Sequence, residues 1–171
     1  YEYAEGLVID SDGSALITGR FRGTVDFDPG NGVSELSSFG DFDIFLAKYN
    51  SAGDLVFAYQ MGGAGLETGQ SLTIDNEGNI IISGTYGDSN ADFDPGPSTF
   101  LLPKIQGGYY ISNGFVAKYN SDGTFLFAKG TGSYRGISET SVLVNSQNNI
   151  LFSGTFSGSI TPDVETGSIS G

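Results

Sequence analysis

Three stretches of this chain are copies of one another. GLVIDSDGSALITGRF at 6–21 returns as SLTIDNEGNIIISGTY at 71–86 and as SVLVNSQNNILFSGTF at 141–156. The pivot glycines are Gly19, Gly84 and Gly154, 65 and 70 residues apart. DIFLAKYNSAGDLVFA at 43–58 returns as GFVAKYNSDGTFLFA at 114–128. A period of this length means that one supersecondary unit recurs and buries its apolar surface by stacking on its neighbours. The 171 residues therefore hold two full repeats and about half of a third, at about 3–67, 68–136 and 137–171.

Each full repeat holds four strand-like runs. In the first they are GLVID (6–10), ALITGRF (15–21, extending toward Asp26), DIFLAKYN (43–50) and DLVFAYQ (54–60). The turns NSAG (50–53) and NSDG (120–123) begin with Asn and end with Gly, which suits tight hairpins with Gly in the left-handed region. One long connection, about 29–42 in the first repeat and 95–113 in the second, separates the second run from the third. The runs are apolar on both faces: Phe45, Ala47 and Tyr49 alternate with Ile44 and Leu46. A sheet with one wet face would alternate more cleanly. The expected fold is all-β, with propeller blades of four antiparallel strands and each blade sandwiched between two others. Two and a half blades cannot close a ring, so the expectation is a fragment of a larger propeller. A β-solenoid is the other architecture with such a period. Gly19, Gly84 and Gly154 sit inside strand runs, where Gly marks a bulge or a close backbone approach.

Composition narrows the chemistry. The chain has 27 Gly, 22 aromatic residues, no Cys, no His and no Trp. Without Cys there are no disulfides, thiol nucleophiles or zinc thiolate sites, and without His the usual acid–base catalyst and the Ser-His-Asp triad are excluded. The net charge of −13 repels phosphate backbones and anionic membranes and attracts divalent cations. No apolar run is long enough for a spanning helix.

The sharpest repeated word is acidic: VDFDPG at 25–30 and ADFDPG at 91–96. Asp26 and Asp28 are about 6.5–7 Å apart along an extended strand, a spacing compatible with a glycosidase pair. Identical recurrence in each repeat argues for a structural device instead. Asp28 precedes Pro29, so it is extended; Pro29 and Gly30 fit a type II turn that Asp28 caps. Phe27 and Phe93 are expected to point away from the carboxylates into the blade contacts. Thr161 and Asp163 align in the third repeat, which leaves Asp26 and Asp92 as the functional candidates. Two carboxylates on one face suit a hard cation, so possible calcium ligands are Asp26, Asp28, Asp92 and Asp94. Tyr109 and Tyr110, in the long second connection, are candidates for stacking on a glycan. Lys48 and Lys118 are expected to snorkel or to pair with loop acids.

The ordered words DSDGSALITGRFRGTVDFDPG and DIFLAKYNSAGDLVFAYQMGG, with their copies DNEGNIIISGTY, ADFDPG and GFVAKYNSDGTFLFAKGTG, resemble the SBBP repeat, a bacterial seven-bladed β-propeller repeat family. The likeness covers nearly the whole chain. It departs at Phe57 and Phe127, where the family often has Trp, and in the third repeat, where SITPDVETG replaces the acidic word. The resemblance implies an extracellular or cell-surface protein of Bacteroidetes-like bacteria and gives no activity. The expected role is a non-enzymatic scaffold or recognition module for a protein, glycan or envelope partner, completed by the rest of the propeller in the parent chain. Alternatives are a structural subunit or substrate of an outer-membrane or type IX secretion complex, and part of a polysaccharide-active enzyme.

Overall fold

The computed structural model of the protein describes residues 1–87, 91–103, 112–133, 135–156, 158 and 160–162. These residues are all-β, and no helix occurs among them. In the first unit β1 (Glu2–Ile9), β2 (Ala15–Phe21), β5 (Asp43–Tyr49) and β6 (Leu55–Met61) form one antiparallel sheet in that order. Between β2 and β5 the chain makes a small hairpin from β3 (Thr24–Asp26) and β4 (Glu35–Ser37). The second unit repeats the pattern with β7 (Thr68–Ile74), β8 (Ile80–Tyr86), β9 (Asn113–Tyr119) and β10 (Phe125–Ser133). A third pair, β11 (Ile137–Val144) and β12 (Ile150–Phe156), follows, and β13 (Ile160–Pro162) returns to the edge of β10.

One turn recipe makes the tight hairpins. Asp10, Asn50, Asp75, Asn120 and Asn145 each accept, on one side-chain oxygen, the amides two and four residues ahead. Gly13, Gly53, Gly78 and Gly123 then take φ of 79–89°, which costs Gly nothing sterically. The fifth turn uses Asn148 at φ 64°, since Asn tolerates this region.

The pivot glycines mark both a bulge and a close approach. The β1–β2 register shifts between Ala4 and Gly6, and the β7–β8 register between Gly69 and Ser71. A Cβ on Gly19 would lie 1.9 Å from the Tyr3 carbonyl oxygen, and one on Gly84 would lie 1.8 Å from that of Thr68. Gly154 is looser, with Ile137 Cγ2 at 3.3 Å as its nearest neighbour.

The units stack face to face. Leu16, Ile44, Leu46 and Met61 of unit 1 form one buried cluster with Leu72, Ile80, Ile82 and Phe115 of unit 2. On the other face of unit 2, Ile81 and Val116 pack on Val142 of β11. This sandwiching is why β8 is buried at every position. The long connection at 29–42 supplies β4. It folds back because Asp26 holds the amide of Ser34, eight residues ahead.

Candidate functional site: the acidic loops and the groove between units

The two acidic words build the same loop. Asp26 Oδ1 accepts the amides of Asp28 (3.0 Å) and Ser34 (2.8 Å), and Asp28 Oδ1 accepts the amide of Gly30 (2.7 Å). In unit 2, Asp92 Oδ1 accepts the amides of Asp94 (3.0 Å) and Phe100 (2.8 Å), and Asp94 Oδ1 accepts that of Gly96 (2.8 Å). The Ser34 amide first, then that of Asp28, holds the Asp26 carboxyl below the usual carboxylate range, because both bonds favour the charged form. Asp28 and Asp94 therefore cap their turns, as the Asp-Pro-Gly order indicates. The turn type is different from the one expected: Gly30 and Gly96 do not take positive φ, so this is not a type II turn. The side-chain bond from Asp to the amide two residues ahead closes it without any left-handed residue.

Phe27 and Phe93 anchor the loops from below. Both are buried; Phe27 meets Phe21 edge-on, and Phe93 meets Tyr86 edge-on. The AKYN tyrosines complete the clasp. Tyr49 Oη donates to the Phe27 carbonyl and Tyr119 Oη to the Phe93 carbonyl, each at 2.9 Å. Burial, then the charges of Asp94 and Asp92, raises the Tyr119 phenol, which stays protonated as a donor. The hydroxyl contact is not legible from the strand pattern that carries these tyrosines. Its only trace in the sequence is that AKYN and DFDPG recur together.

Lys48 pairs with Asp10 at 2.8 Å and Lys118 with Asp75 at 2.8 Å, both largely shielded from solvent. Burial pushes Asp75 up, but the Lys118 ammonium together with Asn79 and two backbone amides outweighs it and holds the carboxyl at about 2. The expected loop-acid pairing of both lysines is what the structure shows, and it ties the first hairpin of each unit to its third strand.

The loops do more than close on themselves. The loop of unit 2 crosses back to the outer strand of unit 1, where Gly62 and Asp92 exchange two backbone hydrogen bonds of 2.9 Å. This leaves a groove of about 280 Å³ lined by Leu36, Phe39, Tyr59, Gln60, Asp92 and Asp94. A second hollow of about 270 Å³ adjoins it over Tyr59, Asp94 and Pro95. Tyr59 stacks on Phe57 at 4.8 Å between ring centroids, and Phe39 is well exposed. An aromatic wall facing two carboxylates suits a cationic side chain, whose stem can lie on the rings while its head meets the acids. Among the described residues, no group of three or more acidic side chains is gathered to hold a metal ion. Tyr109, Tyr110 and Asp163 lie outside the described residues.

No family model matches the chain. It is similar to an uncharacterized WD repeat-containing protein of Acanthamoeba polyphaga mimivirus, 24% identical over 121 residues. That alignment covers 69% of this chain and 9% of the viral protein, so the chain spans a small part of the relative it matches. The likeness fits a propeller-type repeat, in keeping with stacked antiparallel four-stranded units.

Proposed function

We propose that the chain is part of a non-enzymatic, propeller-type scaffold that binds a protein partner through a basic segment seated in the groove between units 1 and 2. The carrying observation is that two half-sites meet there: Tyr59 and Phe39 from unit 1, Asp92 and Asp94 from unit 2. The WD repeat name of the viral relative supports a protein-interaction role. The net charge of −13 adds long-range attraction for a basic partner. A peptide array scanned with the chain tests this reading. Lys/Arg-containing segments should bind, more weakly as salt rises. Tyr59→Ala and Asp94→Asn should each weaken binding about tenfold, the loss of roughly 1.4 kcal/mol of contact. Equal binding by both variants would refute the groove. Asn at 94 keeps the oxygen that caps Gly96, so the loop itself survives the test.

The proposal extends to a secreted or cell-surface location, on the strength of the SBBP resemblance alone; protease access on intact cells tests it. Calcium at Asp26, Asp28, Asp92 and Asp94 is a second proposal, motivated by the two carboxylates that each loop of this acidic chain carries. Millimolar calcium should then raise Tm, and a chelator should reverse the rise. An unchanged Tm removes it.

A further inference from the structure

Successive units are locked by a strap as well as by face packing. The strap is seen twice. Asp92 pairs antiparallel with Gly62 at the outer strand of unit 1, and Thr161 pairs with Gly132 at the outer strand of unit 2. Asp26 holds the same place in unit 1 that Asp92 holds in unit 2. In the β3–β4 hairpin, Phe27 donates to Ser34 and Ser38 donates to Gly23. Alternation along the ladder then turns the Asp26 amide and carbonyl away from β4. Those are the two groups that Asp92 commits to Gly62.

The face beside this strap is also open. Leu7, Leu72 and Val142 are equivalent positions in the three repeats. Leu72 is 9% exposed and Val142 1%, each covered by the unit before it, whereas Leu7 is 63% exposed. The same holds deeper in the face: Ile82 and Tyr119 are fully buried, while their counterparts Ile17 and Tyr49 are only half-buried.

We propose that the Leu7 face and the Asp26 edge of unit 1 together bind one further four-stranded unit of this kind, carried in the same polypeptide, whose outer strand pairs with Asp26 as Gly62 pairs with Asp92. The occupant is identified by the two copies of the same joint already present. Its source is identified by the short link between units, residues 62–67, which favours neighbours in one chain. The partner strand should carry Gly at the crossing point. At Gly62 φ is 153°, and a Cβ there would come within 2.8 Å of the Asp43 carboxyl carbon. The inference rests on the propeller-type reading and is independent of the groove.

The test extends the chain with a copy of residues 68–136 placed directly before Glu2, reproducing the spacing from unit 2 to β11. A second extension places a copy of residues 3–67 directly before Tyr3. Amide exchange at Asp26 and thiol labelling of Leu7→Cys, the only thiol in the chain, are read in both. The expected result, in at least one extension, is at least a tenfold slowing of each, to the level of Asp92 and of Leu72→Cys. Unchanged exchange and labelling in both extensions overturns the proposal. Protection of the unextended chain that grows with its concentration also overturns it, because the occupant is then a second copy. Failure here with intact peptide binding in the groove would leave the scaffold reading standing.

Discussion

Units 1 and 2 have the same four-strand sheet, the same acidic loop and the same lysine–acid tie, yet they are not equally buried. Unit 2 lies between two neighbours, and its β8 is closed at every position. Unit 1 has a neighbour on one face only, so Leu7 stands exposed where Leu72 is covered. The sequence of a unit therefore sets its sheet, but the neighbouring unit sets its core. That is the behaviour of a stacked array, in which stability is shared between intrinsic and interface contributions.

The largest expected effect separates the pivot glycines. Gly84→Ala would drive a methyl into the Thr68 carbonyl, a backbone atom with little room to yield. A loss of about 3 kcal/mol or more is expected in urea melts. Gly154→Ala meets the Ile137 methyl at 3.3 Å and the Ser138 oxygen and Thr140 methyl at 3.5 Å, close to ordinary contact, and should stay within about 1 kcal/mol of the parent. Similar losses for both would mean that the β7–β8 strands separate freely, and that the bulge is not what fixes the glycine.

The next effect compares the same side chain with and without a neighbour. Leu72→Ala empties a place in the buried cluster that Leu72 shares with Leu16, Ile44 and Met61 of unit 1, and should cost about 2–3 kcal/mol. Leu7→Ala, on the open face, should cost under about 0.5 kcal/mol. Equal costs would show that Leu7 is already covered in solution by a second copy, which would overturn the docking of a unit from the same polypeptide.

Much of this was legible in the sequence because the repeats are in register. The four runs per unit, the Asn/Asp-to-Gly turns and the pivot glycines all follow from local rules of turn chemistry and period. The β3–β4 hairpin was not legible. It depends on one carboxylate, Asp26, holding an amide eight residues away, and no periodicity signals that. The strap was hidden for a similar reason: Gly62 and Asp92 are far apart in sequence and pair only through backbone atoms. The groove was unreadable because its aromatic wall and its acids belong to different repeats. Asp92 and Asp94 were visible as an acidic pair, but their partner Tyr59 looked like an ordinary strand aromatic.

The smallest expected effect lies where the two units differ by one atom type. Asp43 begins β5, and its counterpart Asn113 begins β9; both are fully buried. The Phe39 amide and the Gln60 side chain both donate to Asp43 Oδ2, while Oδ1 is buried without a hydrogen-bond partner. Burial raises the Asp43 carboxyl above its usual range, against those two bonds. A raised value in the fold means that the folded state holds the proton more tightly than the unfolded chain does. The associated stability is therefore complete below the ordinary Asp range and is lost as pH rises through the folded value. As pH rises unit 1 thus loses stability at a buried carboxyl that unit 2 replaces by Asn. Asp43→Asn should raise stability at pH 7 by about 1 kcal/mol, the scale of relieving a poorly satisfied buried group. The gain should shrink toward zero as pH falls to the ordinary Asp range. Urea melts of both proteins from pH 7 downward provide the check. A gain that is independent of pH would assign the effect to shape and hydrogen bonding. A loss at pH 7 would mean that the ionised Asp43 is needed to hold the Phe39 amide beside the strap at Gly62, and the apparent weakness of unit 1 would be part of its joint.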